Sequence, residues 1–399
     1  MRKAKAAKTE FVQQLKERKN RLKGKFAGRF ATLASENPGD LSIVLLTVIL
    51  VVFGTVMIFS ASYYKSISDV GDPYVYLKRQ VFWALVGFVV MWWFSRIDYH
   101  IWGQNFYILA PLLCIILLGL VFTPLGLTVN GATRWIGIGP VTVMPGELSK
   151  VGLIFFISGF YGRNPKRVLN FAGGILPVIA MTGIVGGLIM LQPNMSTAFT
   201  VIFIAGGMIF VAGAQFKHLG FLAGAAGLAA FGFIFTDREG YRFARITSFL
   251  DPFEDALGSG YQVVQSLLAM GTGGLTGLGL GNSIQKNLYL PEPQNDFILA
   301  IIAEELGFVG VCSLIVVYLL LVWRGCHVAM NAQDYMGMLM ASGIIIMIGI
   351  QVIINIAVVT STFPPTGVIL PFVSYGGNAL VIFMGMIGIL INISKTSRI

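Results

Sequence analysis

Runs of about 20 apolar residues, separated by short polar segments, fill the chain from residue 41 onward. An α-helix needs such a run, roughly 17–25 residues, to cross a bilayer. Ten can be read: 41–63, 80–96, 104–122, 147–161, 171–191, 197–214, 219–235, 297–323, 336–360 and 379–393. The fourth and tenth are short, and a count of eight or nine drops one or both. The pattern predicts an all-α polytopic membrane protein of about ten transmembrane helices, a single domain over 41–395. Residues 1–40 break it with 11 Lys/Arg and 4 Asp/Glu. There Phe11, Leu15, Leu22, Phe26 and Phe30 recur at near-helical spacing among the basic residues. That suits either a basic amphipathic helix on an anionic membrane surface or a solvated tail. No apolar core with a small-residue cleavage site follows the basic start, so the tail is not read as a cleaved signal peptide.

Composition sharpens the class. Charged residues are 12% of 399, far below the roughly 25% of soluble domains. The three cysteines, Cys114, Cys312 and Cys326, form no pairing pattern and read as reduced thiols. Charge then sets the orientation. With ten spans and a cytoplasmic tail, 396–399 is a cytoplasmic end and both termini lie inside. Arg96, Arg163, Lys166, Arg167, Lys217, Arg324, Lys395 and Arg398 then join the tail's cations, as positive-inside asymmetry requires. A large outer loop, 236–296, falls between the seventh and eighth helices. It is partly apolar: Ser259 is placed to cap a short helix with Val263, Val264, Leu267 and Leu268 on one face, folded against the membrane.

The candidate chemistry gathers on the outer side. There is no P-loop, CxxC, HExxH or GxSxG motif. The Gly-rich run 271–281 follows no strand and reads as a close-packed or flexible turn. Pro291 and Pro293 stiffen the approach to Asp296, which is expected at the N-cap or first turn of the eighth span. It is either a helix cap or a general base at the membrane interface. Glu304 and Glu305 lie inside that span, and intramembrane carboxylates are site candidates by default. Either one holds a packing ion pair or one faces a cavity. Pro145 and Glu147 look like a helix start, with Lys150 three residues on, on the same face. Arg134, Lys150, Arg242, Arg245 and Lys286 are cations suited to a diphosphate, or to headgroup anchoring. Pro364 to Gly367 and Ser374 to Asn378 bracket a broken apolar stretch that reads as a re-entrant turn.

Taken in order, the motifs resemble the SEDS family (shape, elongation, division, sporulation), which includes the FtsW, RodA and SpoVE proteins. They are Asn130-Gly-Ala-Thr-Arg-Trp135, Pro145-Gly-Glu-Leu-Ser-Lys150, Leu191-Gln-Pro193, Asp251-Pro-Phe253 and Gly258-Ser-Gly-Tyr-Gln262. Gly279-Leu-Gly-Asn-Ser283, Tyr289-Leu-Pro-Glu-Pro293, Asp296-Phe297, Glu304-Glu-Leu-Gly307 and Pro371-Phe-Val-Ser-Tyr-Gly-Gly377 complete the set. The Gly-Tyr-Gln and Leu-Pro-Glu-Pro forms look more like the FtsW/SpoVE branch. Three places depart from the family's usual pattern: Met144 and Gly146 before Glu147, Asn194 to Ser196 in place of Asp-Leu-Gly, and Asn295 in place of Thr.

The resemblance implies a peptidoglycan glycosyltransferase that polymerises lipid II at the outer face of the cytoplasmic membrane, in division or sporulation. The usual partner is a class B penicillin-binding protein. The alternatives are a lipid II flippase and a weakly active scaffold for that transpeptidase. Asp296 is then the catalytic residue, with Arg134, Glu147, Lys150, Arg245, Lys286, Glu305 and Ser374 as substrate-binding candidates. Membrane lipids are expected around the chain and nucleic acid is not. No cofactor is required outright, although a divalent cation, Mg or Mn, would suit the diphosphate.

Overall fold

The computed structural model describes residues 39–397 except 130–131, 139–140, 222–223, 225–226, 228–248, 250 and 259. Residues 1–38 of the basic tail, Asn130, Arg242, Arg245, Ser259 and most of the predicted seventh span, 219–235, therefore lie outside the described residues. Helix α1 is Leu41–Val70 and α2 is Val75–Phe94; a short α3, His100–Gln104, leads to α4, Leu109–Leu120. A three-stranded antiparallel sheet follows: β1, Gly126–Val129; β2, Ala132–Ile138; β3, Val141–Val143. Then come α5, Pro145–Gly162; α6, Leu176–Leu191; α7, Met195–Val211; and α8, Tyr261–Gly273. Three long helices close the chain: α9, Ile298–Met330; α10, Tyr335–Val359; α11, Gly377–Thr396.

Among the described residues, six helical segments are long and apolar enough to cross a membrane. Helices α4 and α7 are apolar but shorter, 12 and 17 residues. The predicted spans at 104–122 and 197–214 thus map onto these two shorter apolar helices. Much of the apolar surface remains exposed, as on Leu85, Val89 and Trp92 of α2, as expected where lipid replaces water. The sheet was not foreseen, because its strands lie in one of the predicted outer loops, 123–146.

Helix ends follow local chemistry. Pro145 opens α5, with Glu147 in its first turn, as the Pro-x-Glu pattern predicts. Asp40 caps α1 by accepting from the Ser42 N–H at 2.9 Å. Its carboxylate also pairs with Arg324 of α9 at 2.6 Å, and its N–H donates to Ser394 of α11 at 2.9 Å. One residue therefore joins three helices at the end of the bundle away from the sheet. In the turn after α1, Lys78 beside Asp72 holds that carboxyl below the ordinary range.

From residue 251 on, the described part of the predicted large loop is folded. Its helix α8 buries Val263, Val264, Ser266 and Ala269, whereas Leu268 is exposed and Leu267 half-buried. The buried face is rotated from the one expected, because the surface that α8 meets includes the polar end of α10. There the Ser266 hydroxyl donates to the Val359 carbonyl at 2.9 Å. Next, the Gly-rich run meets α9 where that helix breaks at Gly307, with φ 67°. A regular helix would bond the Phe308 and Val309 N–H groups to the carbonyls of Glu304 and Glu305. Instead Leu278 and Gly279 donate to those carbonyls, each at 2.9 Å. Phe308 and Val309 donate to Gly274 and Leu275 at 2.9 and 3.1 Å. All four groups freed by the break are satisfied by the inserted loop. A Cβ at Gly277 would strike the Glu305 carbonyl, and one at Gly307 would strike the Gly277 N–H. Both glycines also have positive φ, so no other residue fits without displacing this splice.

Candidate active site

A cavity of about 570 Å³ opens at the sheet end of the bundle. Asp296, Arg134 and Glu147 all line it, from the segment before α9, from β2 and from the start of α5. Trp83 of α2, Trp135 of β2 and Tyr375 give it aromatic walls. Its volume lies within the roughly 300–1,000 Å³ of ligand pockets. Among its described lining residues Arg134 carries the positive charge, and Glu147, Glu292 and Asp296 the negative.

Asp296 does not cap α9. The cap position is Phe297, which makes no side-chain cap bond, and Asp296 precedes it. The reason lies in its backbone, which is held from outside the helix. Gln294 O accepts from the Tyr375 N–H at 2.9 Å, Asn295 O from the Ser374 hydroxyl at 2.7 Å, and Asp296 O from Asn355 Nδ2 at 2.8 Å. Three successive carbonyls are thus tied to the loop before α11 and to α10. The carboxylate lies against Gly367, where a Cβ would come 3.1 Å from Asp296 Oδ2.

Glu292 shapes the same segment. It sits between Pro291 and Pro293 with φ 49°, a conformation costing about 1–3 kcal/mol for a residue with a side chain. Lys65, Gln294 and Asn295 hold its carboxylate at 2.5, 3.1 and 2.8 Å. Glu147 and Lys150 meet at 2.7 Å, nearly buried, and Gln351 of α10 accepts from Lys150 at 3.2 Å. Arg134 is anchored to the turn before α7, donating to the carbonyls of Gln192 and Pro193. At the mouth, Asn378 ties α11 to β3 through the Thr142 carbonyl.

Lys286, Glu304, Glu305 and Ser374 lie apart from the cavity, whereas Gly367, Tyr375 and Asn378 of the predicted re-entrant turn line it. Glu305 and Lys286 form a pair at 2.8 Å, 0% and 3% exposed, and Ser60 of α1 donates to Glu305 at 2.6 Å. Glu304 accepts from Ser283 and from the N–H groups of Ile284 and Gln285. Ser374, also buried, donates to Asn295 O and accepts from the Leu370 N–H. Glu292, Gln351 and Asn355 were not picked out as site residues in the sequence, and Gly367 only as part of a re-entrant turn. A signal existed for two of them: Gln351 and Asn355 are polar, four residues apart, in a run otherwise apolar. Gly367 and Glu292 act through backbone shape, which periodicity does not report.

Two departures from the family pattern have a physical account. Asn194 still caps α7, accepting from the Thr197 N–H at 3.3 Å and from the Ser196 hydroxyl at 3.0 Å. Asn serves there as well as Asp. A Cβ at Gly146 would come 3.2 Å from the Thr197 methyl, so glycine relieves crowding between α5 and α7.

Residues 40–399 match the family model of the FtsW, RodA and SpoVE proteins, described as cell cycle proteins. The chain belongs to this family. It is 42% identical to stage V sporulation protein E of Bacillus subtilis (strain 168), over 90% of this chain and 98% of that one. It is 38% identical to the probable peptidoglycan glycosyltransferase FtsW of Geobacter sp. (strain M18), over 90% and 97%. Among solved structures, a chain from work titled "Structural coordination of polymerization and crosslinking by a peptidoglycan synthase complex" superposes with a TM-score of 0.74. It is 27% identical, covering 89% of this chain and 97% of that one. RodA of Thermus thermophilus superposes with a TM-score of 0.65 at 27% identity, over 90% and 98%. Its apolar helices and these relatives make this FtsW/RodA/SpoVE member a multi-pass membrane protein.

Proposed function

We propose that the chain is a peptidoglycan glycosyltransferase that polymerises lipid II, with the cavity as its active site at the outer face of the cytoplasmic membrane. The observation that carries this reading is the meeting of Asp296, Arg134 and Glu147 in one cavity. The relatives bearing the glycosyltransferase name support it. Asp296 takes the proton from the acceptor sugar's 4-hydroxyl as that oxygen bonds to the donor's C1. The bond from C1 to the diphosphate oxygen breaks, its electron pair leaves with undecaprenyl diphosphate, and the anomeric centre inverts. General-base catalysis of this kind contributes about 10²–10⁴ in rate. Arg134 is placed to stabilise charge growing on the diphosphate. Lys150 acts from behind, holding Glu147 at the wall.

Lys286 and Glu305 then serve the fold beside the site rather than the substrate. Among the described residues no group of three or more His, Cys, Asp or Glu is arranged to hold a metal ion. On this reading any divalent cation arrives with the substrate's diphosphate. A class B penicillin-binding protein is the crosslinking partner, a role consistent with the synthase complex that the fold matches.

The test is a gel assay of purified protein with lipid II, with and without the class B partner. Wild type is expected to make long glycan strands and Asp296→Ala to lose at least about 10²-fold in rate. Wild-type transfer of labelled lipid II across vesicles without polymer would instead establish a flippase.

A further inference from the structure

Asn355 stands in the middle of the last turns of α10, fully buried, with an amide that has two hydrogens to give. Both are used on backbone carbonyls from different segments: Asp296 O at 2.8 Å and Val368 O at 2.7 Å. Both partners are acceptors, so the amide's orientation is dictated. One side chain thereby staples the residue carrying the cavity's carboxylate to the segment carrying Gly367. That glycine is the wall against Asp296 Oδ2. The other two ties on this segment, Ser374 and Tyr375, act on Asn295 and Gln294 and come from the loop before α11. Of these three ties, the one from Asn355 comes from a helix core and reaches Asp296 itself.

We propose that Asn355 is a positioning residue for the transfer reaction. It sets where the Asp296 carboxylate points by fixing its backbone and its Gly367 wall together. This rests on the reading of Asp296 as the base. The effect is on geometry rather than on substrate binding, since Asn355 is not among the residues lining the cavity. A misplacement of about 1 Å at a reacting group costs on the order of 10²-fold in rate.

The experiment compares wild type with Asn355→Leu, Asn355→Asp and Asn355→Gln in strand synthesis from lipid II. Leu removes both donors. Asp is isosteric but has at most one hydrogen for two carbonyls, so it serves if Leu does not fold. The expected result is a kcat, per folded protein, lowered on the order of 10²-fold in Leu and Asp, with KM within about twofold. Gln, which keeps both hydrogens, recovers part of the rate. The acidic limb of the kcat–pH profile also moves in Leu and Asp, because the base's surroundings change. A structural role alone would lower the height of that profile, in step with stability, and leave the limb in place. That outcome, or a kcat within about threefold of wild type, overturns the proposal. If wild type itself makes no strands, the glycosyltransferase reading fails first, and the two failures are distinct.

Discussion

Lys286 and Glu305 show what a carboxylate inside an apolar bundle requires. The pair is nearly dry, and Ser60 adds a hydroxyl to both partners, at 2.6 Å from Glu305 and 3.1 Å from Lys286. Removing one partner leaves a buried charge unmatched, which costs about 3–5 kcal/mol. Lys286→Met and Glu305→Gln alone are therefore expected to lower the melting temperature in detergent sharply. The double variant should recover much of the loss, because exchanging both charges for neutral groups is nearly neutral. Equal melting temperatures for both single variants and wild type would contradict the pairing. Sequence alone showed that one of Glu304 and Glu305 must face a partner or a cavity. It did not show which cation, since Lys286 shares its stretch with no periodic signal and Ser60 lies 245 residues from Glu305.

At the scale of elements, α9 is the informative case. As an apolar run it reads as one continuous span, and it was expected as one over 297–323. The break at Gly307 escaped because a glycine in an apolar helix is most often a packing residue. Only the loop that fills the gap makes its positive φ necessary. Gly307→Ala is expected to destabilise the protein by about 1–3 kcal/mol through backbone strain alone, before the clash with Gly277 and Leu275 is counted. Fluorescence-detected size exclusion after heating would register it. An unchanged profile would mean that the splice yields easily. By contrast α5 was legible to its first residue, because Pro145, Glu147 and Lys150 each act within one turn. Elements specified locally were readable. Those specified by a distant segment, such as the α8 face turned toward α10, were not.

For the whole molecule, the property to test is orientation, which the sequence supports through the basic tail more than through its loops. Cysteines at Leu125, just before the sheet, and Met330, at the far end of α9, report it directly, both positions being well exposed. In a background lacking Cys312 and Cys326, an impermeant maleimide added to spheroplasts should label Leu125→Cys and spare Met330→Cys. The reverse would put the cavity on the cytoplasmic side and remove it from assembled wall precursor. The candidate site was legible as residue types, a carboxylate, an arginine and a helix start. Its enclosure was not, because Trp83 reaches it, and Asn355 braces it from behind, only through tertiary contacts. The way α9 is neutralised also bears on how the protein is made. Thr272, Ser283, Ile284, Gln285 and Lys286, with Ser60 far earlier, all precede the carboxylates they serve. The ribosome has thus finished these partners of Glu304 and Glu305 before either acid emerges. The helix can enter the bilayer with its charges already answered, rather than wait for a segment still to be translated.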